Sequence, residues 1–363
     1  NKKLVQVLEE AELVELGYAD CVFIHRDKDD PTRVTLLVVH VDDIITASND
    51  PAYSSKLHAM LRERFPVDDV GEPDMVLGLE IERDREKGVL KLGQQRLIRD
   101  LLERFNMAEC DPVATPMVEG CTLSAVPPPD AEEAAVMEDK PFRELVGGLN
   151  YLTTCSRADI ALAVKEVARH CAKPTVAAWK AAKRILAYLK GALDYKLVYR
   201  LQEGAEHALE AFVDADWGRC LKTRRSQTGY AVTFNGCLVA WHSKLQDTVA
   251  TSTLVAELFA SYHACTKIME LRHLLGEIGY LHDAPTVLHE DNQGVLNVCK
   301  NKAGVQRTKH VELKWFLLRE LADQGYVAPV KVPSKENVAD AFTKPLSRNK
   351  LKELILDRFY VTN

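Results

Sequence analysis

The chain has 363 residues, 47% hydrophobic and 28% charged, which is the composition of a globular protein of two or three domains. No stretch reaches the roughly 20 apolar residues of a membrane span, and nine scattered cysteines without a C-x-x-C pair argue against structural zinc or a disulfide framework. The net charge of −6 is unevenly spread: residues 1–120 hold 15 Lys and Arg against 25 Asp and Glu, residues 141–363 hold 31 against 23, a weak pointer to a polyanion for the second part. The chain opens on Asn1, directly in helix-like sequence, which suggests a fragment or a processed product.

In chain order, VTLLVVHVDDIITAS predicts two short strands meeting at Asp42 and Asp43. Two carboxylates inside an apolar, β-branched run need either a tight hairpin that lets them reach water or a bound cation. A helix is expected over SSKLHAMLRERF, and MVLGLEIERDREKGVLKLGQ reads as a hairpin turning at Gly88. RLIRDLLERFNM is amphipathic, with Leu97, Leu101, Leu102 and Phe105 on one face. SAVPPPDAEEAAVMED, Pro-rich and then acidic, reads as an exposed linker.

Three helices are expected next, over FRELVGGLNYLTTC, IALAVKEVARHCA and VAAWKAAKRILAYLKG, the last closing on Gly191. From residue 195 the pattern turns to strands: KLVYR, HALEAFVDADW, SQTGYAVTF and CLVAWHSK. A long helix through TLVAELFASYHACTKIMELRHLLGEIG follows, then the strand TVLHEDN, a second helix, HVELKWFLLRELAD, the strand APVKV and a short helix at NVADAFTK. That order predicts a mixed α/β sheet domain.

Four acids stand in apolar settings on four of these elements: Asp214, Glu257, Asp291 and Asp340. If they converge, their repulsion needs compensation, and divalent cations supply it. Two Mg²⁺ ions roughly 4 Å apart can activate water and stabilise a leaving oxygen in phosphodiester hydrolysis. Taken singly, each acid also suits a cap or the surface, and Asp214 with Asp216 also reads as an ordinary turn.

The ordered motifs VDDIITAS, LGLEIERDREKGVLKLGQQRLIRDLLERFNM, TPM, FRELVGGLNYLTTCSRADIALAV, WKAAKRILAYLKG, FVDADW, RRSQTGY, VAWHSKLQ, TLVAELFA, EDNQ, RTKHVEL and VADAFTKPL run through residues 4–346. They resemble the C-terminal portion of the Pol polyprotein of Ty1/copia-type retrotransposons, where the end of reverse transcriptase is followed by ribonuclease H. The resemblance implies an α/β (α+β) chain: the C-terminal part of a palm and thumb over 1–118, a Pro-rich acidic linker over 119–140, a helical connection over 141–200, a ribonuclease-H-like mixed sheet over 201–346 and a tail over 347–363. It implies a ribonuclease H that cuts the RNA strand of RNA–DNA hybrids, with two Mg²⁺ (or Mn²⁺) ions on Asp214, Glu257, Asp291 and Asp340, Asp216 being the alternative to Asp214.

Lys222, Arg224 and Arg225 in a turn, and Arg307, Lys309 and His310 in QRTKHVEL, are the residues expected at the nucleic acid. Gln293 reads as a helix cap or a nucleic-acid contact, and His310 as a proton shuttle or a structural residue. Asp42 and Asp43 match the hairpin pair that binds polymerase Mg²⁺, but the third carboxylate of that site is expected before Asn1, so no DNA synthesis is expected from this chain alone. His40 stands where the family usually carries tyrosine. Implied partners are the hybrid and the rest of Pol, with no membrane, and the implied location is a cytoplasmic virus-like particle or the nucleus. The competing readings are a catalytically inactive nucleic-acid-binding remnant and an ATPase on a related sheet, which would need glycine-rich phosphate loops that this sequence does not carry.

Overall fold

The computed structural model describes residues 2–201, 208–280, 283–300 and 309–362, with 309–312 described only in their backbone. The chain forms two compact units. One comprises residues 1–73 and 269–282, the other residues 74–268 and 283–363.

The first unit is an antiparallel sheet of four strands in the order β1 (Val14–Glu15), β2 (Val22–Arg26), β3 (Val34–His40) and β4 (Asp43–Ser48), with α1 (Lys2–Glu10) and α2 (Pro51–Arg64). Leu8, Leu57 and Leu61 of the helices pack on Phe23 and Leu37 of the strands. Helix α2 starts where it does because Asp50 accepts from the backbone N–H of Ala52 and Tyr53, and Pro51 takes the first helical position. Leu274 and Ile278 pack on Leu16, Ile24 and Val34, and the Glu277 carboxylate accepts from the Gly17 N–H at 2.8 Å.

The apolar run around Asp42 and Asp43 is the expected hairpin. His40 pairs with Asp43 across a two-residue turn, and both aspartates are exposed. Val41, the first turn residue, has φ 54° and is 84% exposed. A positive φ at that position alone is the geometry of a type II′ turn, which suits glycine and strains a β-branched side chain. Val41→Gly is therefore expected to stabilise this unit by about 1 kcal/mol, read as a raised urea midpoint; a lowered midpoint would show that the valine is held by contacts rather than strained.

The second unit holds two sheets. One runs in the order β14 (Tyr360–Val361), β8 (Lys196–Arg200), β7 (Val89–Gly93), β6 (Leu79–Asp84) and β5 (Met75–Val76), all antiparallel. Its helices are α3 (Gln95–Arg104), α4 (Ala131–Glu138), α5 (Phe142–Cys155), α6 (Ala161–Ala168) and α7 (Val176–Gly191). Three expected boundaries differ here. Residues 74–118 do not group with 1–73, because Ile98 and Leu101 share one core with Leu145, Leu149, Ile185 and Leu186. The 119–140 stretch is not a plain linker: Asp130 caps α4, and Met137 is buried in the same core. Residues 347–363 are not a tail. They fold into α12 (Arg348–Leu351), a π-helical turn, α13 (Asp357–Phe359) and β14, with Leu354, Ile355, Phe359 and Tyr360 buried.

The other sheet runs β11 (Cys237–Leu245), β10 (Gln227–Phe234), β9 (Leu209–Asp216), β12 (Thr286–Glu290) and β13 (Val327–Lys331). Strands β9, β10 and β11 are antiparallel neighbours, whereas β12 is parallel to both β9 and β13. The long helix α8 (Thr253–Ile278) follows β11, α9 (Gln293–Lys300) follows β12, and α10 (Lys309–Asp323) and α11 (Asp340–Thr343) flank β13 in sequence. This is the mixed sheet the sequence order predicts, with the strand of Asp214 in the centre.

Candidate metal centre

The sheet register brings the first two acids together. Val213 of β9 lies beside Glu290 of β12, so the next residues, Asp214 still within β9 and Asp291 just past the end of β12, stand side by side on adjacent parallel strands, which run about 4.8 Å apart. Helix α8 brings Glu257, and its first turn is fixed to the sheet by Gln246, whose Nε2 donates to the Ala256 carbonyl at 2.9 Å. Asp214, Glu257 and Asp291 each present a carboxylate oxygen within 4.8 Å of the others. Asp214 is 1% exposed and Glu257 6%.

Asp340 reaches this group through a lysine. It opens α11, and Lys344, one turn on, donates to Asp340 Oδ1 at 2.9 Å and lies 3.2 Å from Asp214 Oδ2. Thr343 Oγ1 donates a hydrogen bond to Asp214 Oδ2. The short helix can sit this close because residue 229 is glycine: a Cβ there would lie 2.7 Å from Thr343 Cγ2 and 2.8 Å from Phe342 Cβ. Asn337 Nδ2 donates to the Val213 carbonyl at 2.9 Å, and Ser243 Oγ to that of Phe342 at 2.6 Å. Gly229→Ala should therefore push α11 off the sheet and cost about 1–3 kcal/mol. A melting curve checks this, and an unchanged melting temperature would mean that the helix gives way freely.

The electrostatics are those of an acid cluster short of positive charge. Burial, opposed by the Lys344 ammonium and reinforced by Asp340, pushes Asp214 up to about 6. Burial and then Glu290, Asp214 and Asp291 hold Glu257 well above the carboxylate range. Burial opposes the charge of Lys344, but Asp214 and Asp340 outweigh it and keep the ammonium protonated. Glu257 Oε2 is buried without a hydrogen-bond partner among the described residues. An unsatisfied buried oxygen beside two more carboxylate oxygens suits a hard, oxygen-seeking cation such as Mg²⁺.

Asp216, the alternative to Asp214, lies outside this group: Arg219 Nη1 donates to it at 3.1 Å. Lys222, Arg224 and Arg225 are exposed in the connection between β9 and β10. Gln293 bonds along its own helix, Nε2 donating to Asn297 Oδ1 at 3.0 Å, and the cap beside it comes from Asn292. Arg307 lies outside the described residues. Lys309 and His310 begin α10, and their side chains lie outside the description. Asp42 and Asp43 join no group of three ligand-bearing side chains among the described residues.

Sequence reasoning missed Lys344, Thr343 and Glu290. Lys344 had a signal, the i, i+4 spacing from Asp340. Glu290 had none, because its alternation with His289 looks like any strand. It is fully buried, accepts from Ser261 Oγ and the Asn292 N–H, and is pushed up by burial to about 8.

Comparison with known proteins adds the ancestry. A family profile described as reverse transcriptase (RNA-dependent DNA polymerase) matches residues 1–119. The retrovirus-related Pol polyprotein from transposon TNT 1-94 of Nicotiana tabacum is 35% identical over 343 residues, 93% of this chain and 25% of that protein. The Pol polyprotein from transposon RE2 of Arabidopsis thaliana is 33% identical over 318 residues, 87% of this chain and 21% of that one.

The homologues of this chain are retrovirus-related Pol polyproteins of copia/Ty1-type transposons.

The chain spans about a quarter of the length of these Pol relatives. Among solved structures, a foamy viral protease-reverse transcriptase in complex with double-stranded DNA aligns over 92% of this chain and 48% of its own, with 11% identity and a TM-score of 0.48. The reverse-transcriptase match spans residues 1–73 of the first unit and continues to residue 119 in the second. The acid cluster lies wholly beyond it.

Proposed function

We propose that this Pol segment is a two-metal ribonuclease H that cuts the RNA strand of RNA–DNA hybrids. The observation that carries the reading is the convergence of Asp214, Glu257 and Asp291 from three elements, with one buried Glu257 oxygen lacking any partner among the described residues. Asp214, Glu257 and Asp291 would hold the metal, with Asp340 completing the set through its link to Asp214. The bound ions would supply water activation and charge stabilisation at the leaving oxygen.

The chain's own residues do the rest. Thr343 fixes one Asp214 oxygen, so that carboxylate is oriented before substrate arrives. Lys344 holds Asp214 and Asp340 together and offsets their repulsion. The exposed Lys222, Arg224 and Arg225 would meet backbone phosphates, which position a duplex without reading its sequence. Discrimination of the RNA strand would rest on shape and 2′-hydroxyls. The hybrid and the remaining Pol segments are the partners of this reading, and a cytoplasmic particle, with access to the nucleus, is its setting. No described helix is long and apolar enough to cross a membrane.

Asp42 and Asp43, exposed on their hairpin, would belong to a separate polymerase site that a further carboxylate completes. Asp291→Asn tests the assignment: cleavage should fall by roughly 10²-fold or more with hybrid affinity in EDTA retained. Undiminished cleavage would remove Asp291 from the site.

A further inference from the structure

The carboxylate site leaves a second concave feature unused. A cleft of about 410 Å³ follows β11 on the outer edge of its sheet, walled by the C-terminal end of α5, by α6, by Tyr199 of β8 and by Lys267 of α8. Its volume falls in the range of small-ligand pockets. Among the residues lining it are two lysines, Lys165 and Lys267, and no carboxylate.

Four observations bear on what it could hold. Thr153, in the cleft wall, is 3% exposed, and its hydroxyl has no hydrogen-bond partner among the described residues. Lys165 Nζ donates to Asn150 Oδ1 at 2.9 Å, a neutral partner that leaves its charge uncompensated there. Trp241 is locked in place, its indole N–H donating to the Thr153 carbonyl at 2.7 Å, so an aromatic plane stands beside the hydroxyl. His242 stacks on Tyr230 with ring centroids 5.0 Å apart. Burial, then His263, Lys244, Lys165 and Lys267, push it down to about 4, leaving a neutral imidazole in the wall.

A cationic, acid-free cleft with an unsatisfied hydroxyl and fixed aromatic rings suits a ligand that is both anionic and aromatic. Ammonium groups attract phosphate as point charges, and bases stack on aromatic side chains without regard to sequence. We propose that this cleft is a nucleotide site that takes one phosphate-bearing nucleotide unit, its phosphate at Lys165, Lys267 and Thr153 and its base against Trp241 and Tyr199. The unit is either a free mononucleotide or one residue of a nucleic-acid strand. The site shares no residue with the carboxylate cluster.

The test is isothermal titration of the full chain in EDTA, where metal-dependent cleavage plays no part and failure of the nuclease reading would leave the result unaffected. Adenosine 5′-monophosphate, adenosine, inorganic phosphate and a single-stranded DNA decamer are titrated in turn. Saturable binding of the monophosphate or the decamer is expected, at least tenfold tighter than adenosine or phosphate, and at least tenfold weaker in Lys165→Gln/Lys267→Gln and in Trp241→Phe. Tighter binding of the decamer than of the monophosphate identifies the strand as the source; the reverse identifies the free nucleotide. If a variant fails to fold, acetylation of the folded natural chain replaces it, with bound ligand expected to protect Lys165 and Lys267. Absence of saturable binding, unchanged affinity in the folded variants, or no protection overturns the proposal.

Discussion

Glu257→Gln is expected to remove Mg²⁺-dependent cleavage, by roughly 10²-fold or more, and yet to raise the melting temperature of the metal-free protein at pH 8. Both effects come from the same oxygen. Glu257 Oε2 is buried without a partner among the described residues, and burial, then Glu290, Asp214 and Asp291, hold its carboxyl well above the usual range. A carboxyl with a folded pKa above its unfolded one costs nothing at low pH, where both states are protonated. The cost grows as pH rises past the unfolded value and levels off above the folded one. With Asp214 at about 6 and Glu290 at about 8, the metal-free protein should lose stability steadily from about pH 4 to pH 8. The amide has no proton to lose, so the variant escapes its share of that loss.

Metal has the opposite sign. A cation that binds only the folded state adds about 2.7 kcal/mol at a hundred times its Kd, and this gain should be larger at pH 8, where the carboxylates bind it without first losing protons. Melting curves at pH 5 and pH 8, with EDTA and with Mg²⁺, check the set. A variant that melts lower than the natural chain at pH 8 in EDTA would mean that Glu257 is a stabilising residue rather than a ligand held at a cost.

The second large effect lies away from the acids. Asp159→Ala should destabilise the second unit by about 3–5 kcal/mol, because it leaves a buried guanidinium without its counter-charge. Arg157 and Asp159 are both buried, and Arg157 donates from Nε at 3.0 Å and from Nη2 at 2.6 Å to the two carboxylate oxygens. Arg157 Nη1 also donates to the Ala192 carbonyl at 2.9 Å, and the Tyr188 hydroxyl to Asp159 at 2.7 Å. The Tyr360 hydroxyl closes the knot, accepting from the Ala158 N–H and donating to the Ser156 carbonyl, both at 2.8 Å. The pair therefore ties the segment ahead of α6 to α7, and the backbone on either side of Arg157 ties the same segment to the C-terminal strand. A fall in melting temperature of roughly 10 °C is expected, whereas Tyr360→Phe, which leaves the ion pair intact, should cost about 1 kcal/mol. Equal losses in the two variants would mean that the hydroxyl, not the charge pair, holds the knot.

The elements of this fold were legible because their periods are local properties. Alternation marked β9 to β11, a 3.6-residue apolar stripe marked α3, and the Asp42–Asp43 pair marked a hairpin that β3 and β4 do form. Asp214, Glu257 and Asp291 were legible because a carboxylate in an apolar run needs a reason wherever it sits. Partition was less legible, since it depends on pairings between residues far apart in sequence. Strand β8 joins β7 across more than a hundred residues and Tyr360 pairs with Leu197, so residues that read as a thumb, a connection and a tail share one sheet. Asp340 was legible as an acid but not as a residue bridged by Lys344. That bridge depends on the close seat of α11 over Gly229, and a glycine in a strand does not announce what will lie against it.

The most direct measurement is a Mg²⁺ titration of this chain with an RNA–DNA hybrid labelled on its RNA strand, alongside matched RNA and DNA duplexes. The carboxylate cluster predicts metal-dependent cutting of the RNA strand in the hybrid alone. A folded sample that binds the hybrid but cuts nothing at any Mg²⁺ concentration would contradict it, and the cluster would then be the inheritance of an inactive Pol remnant.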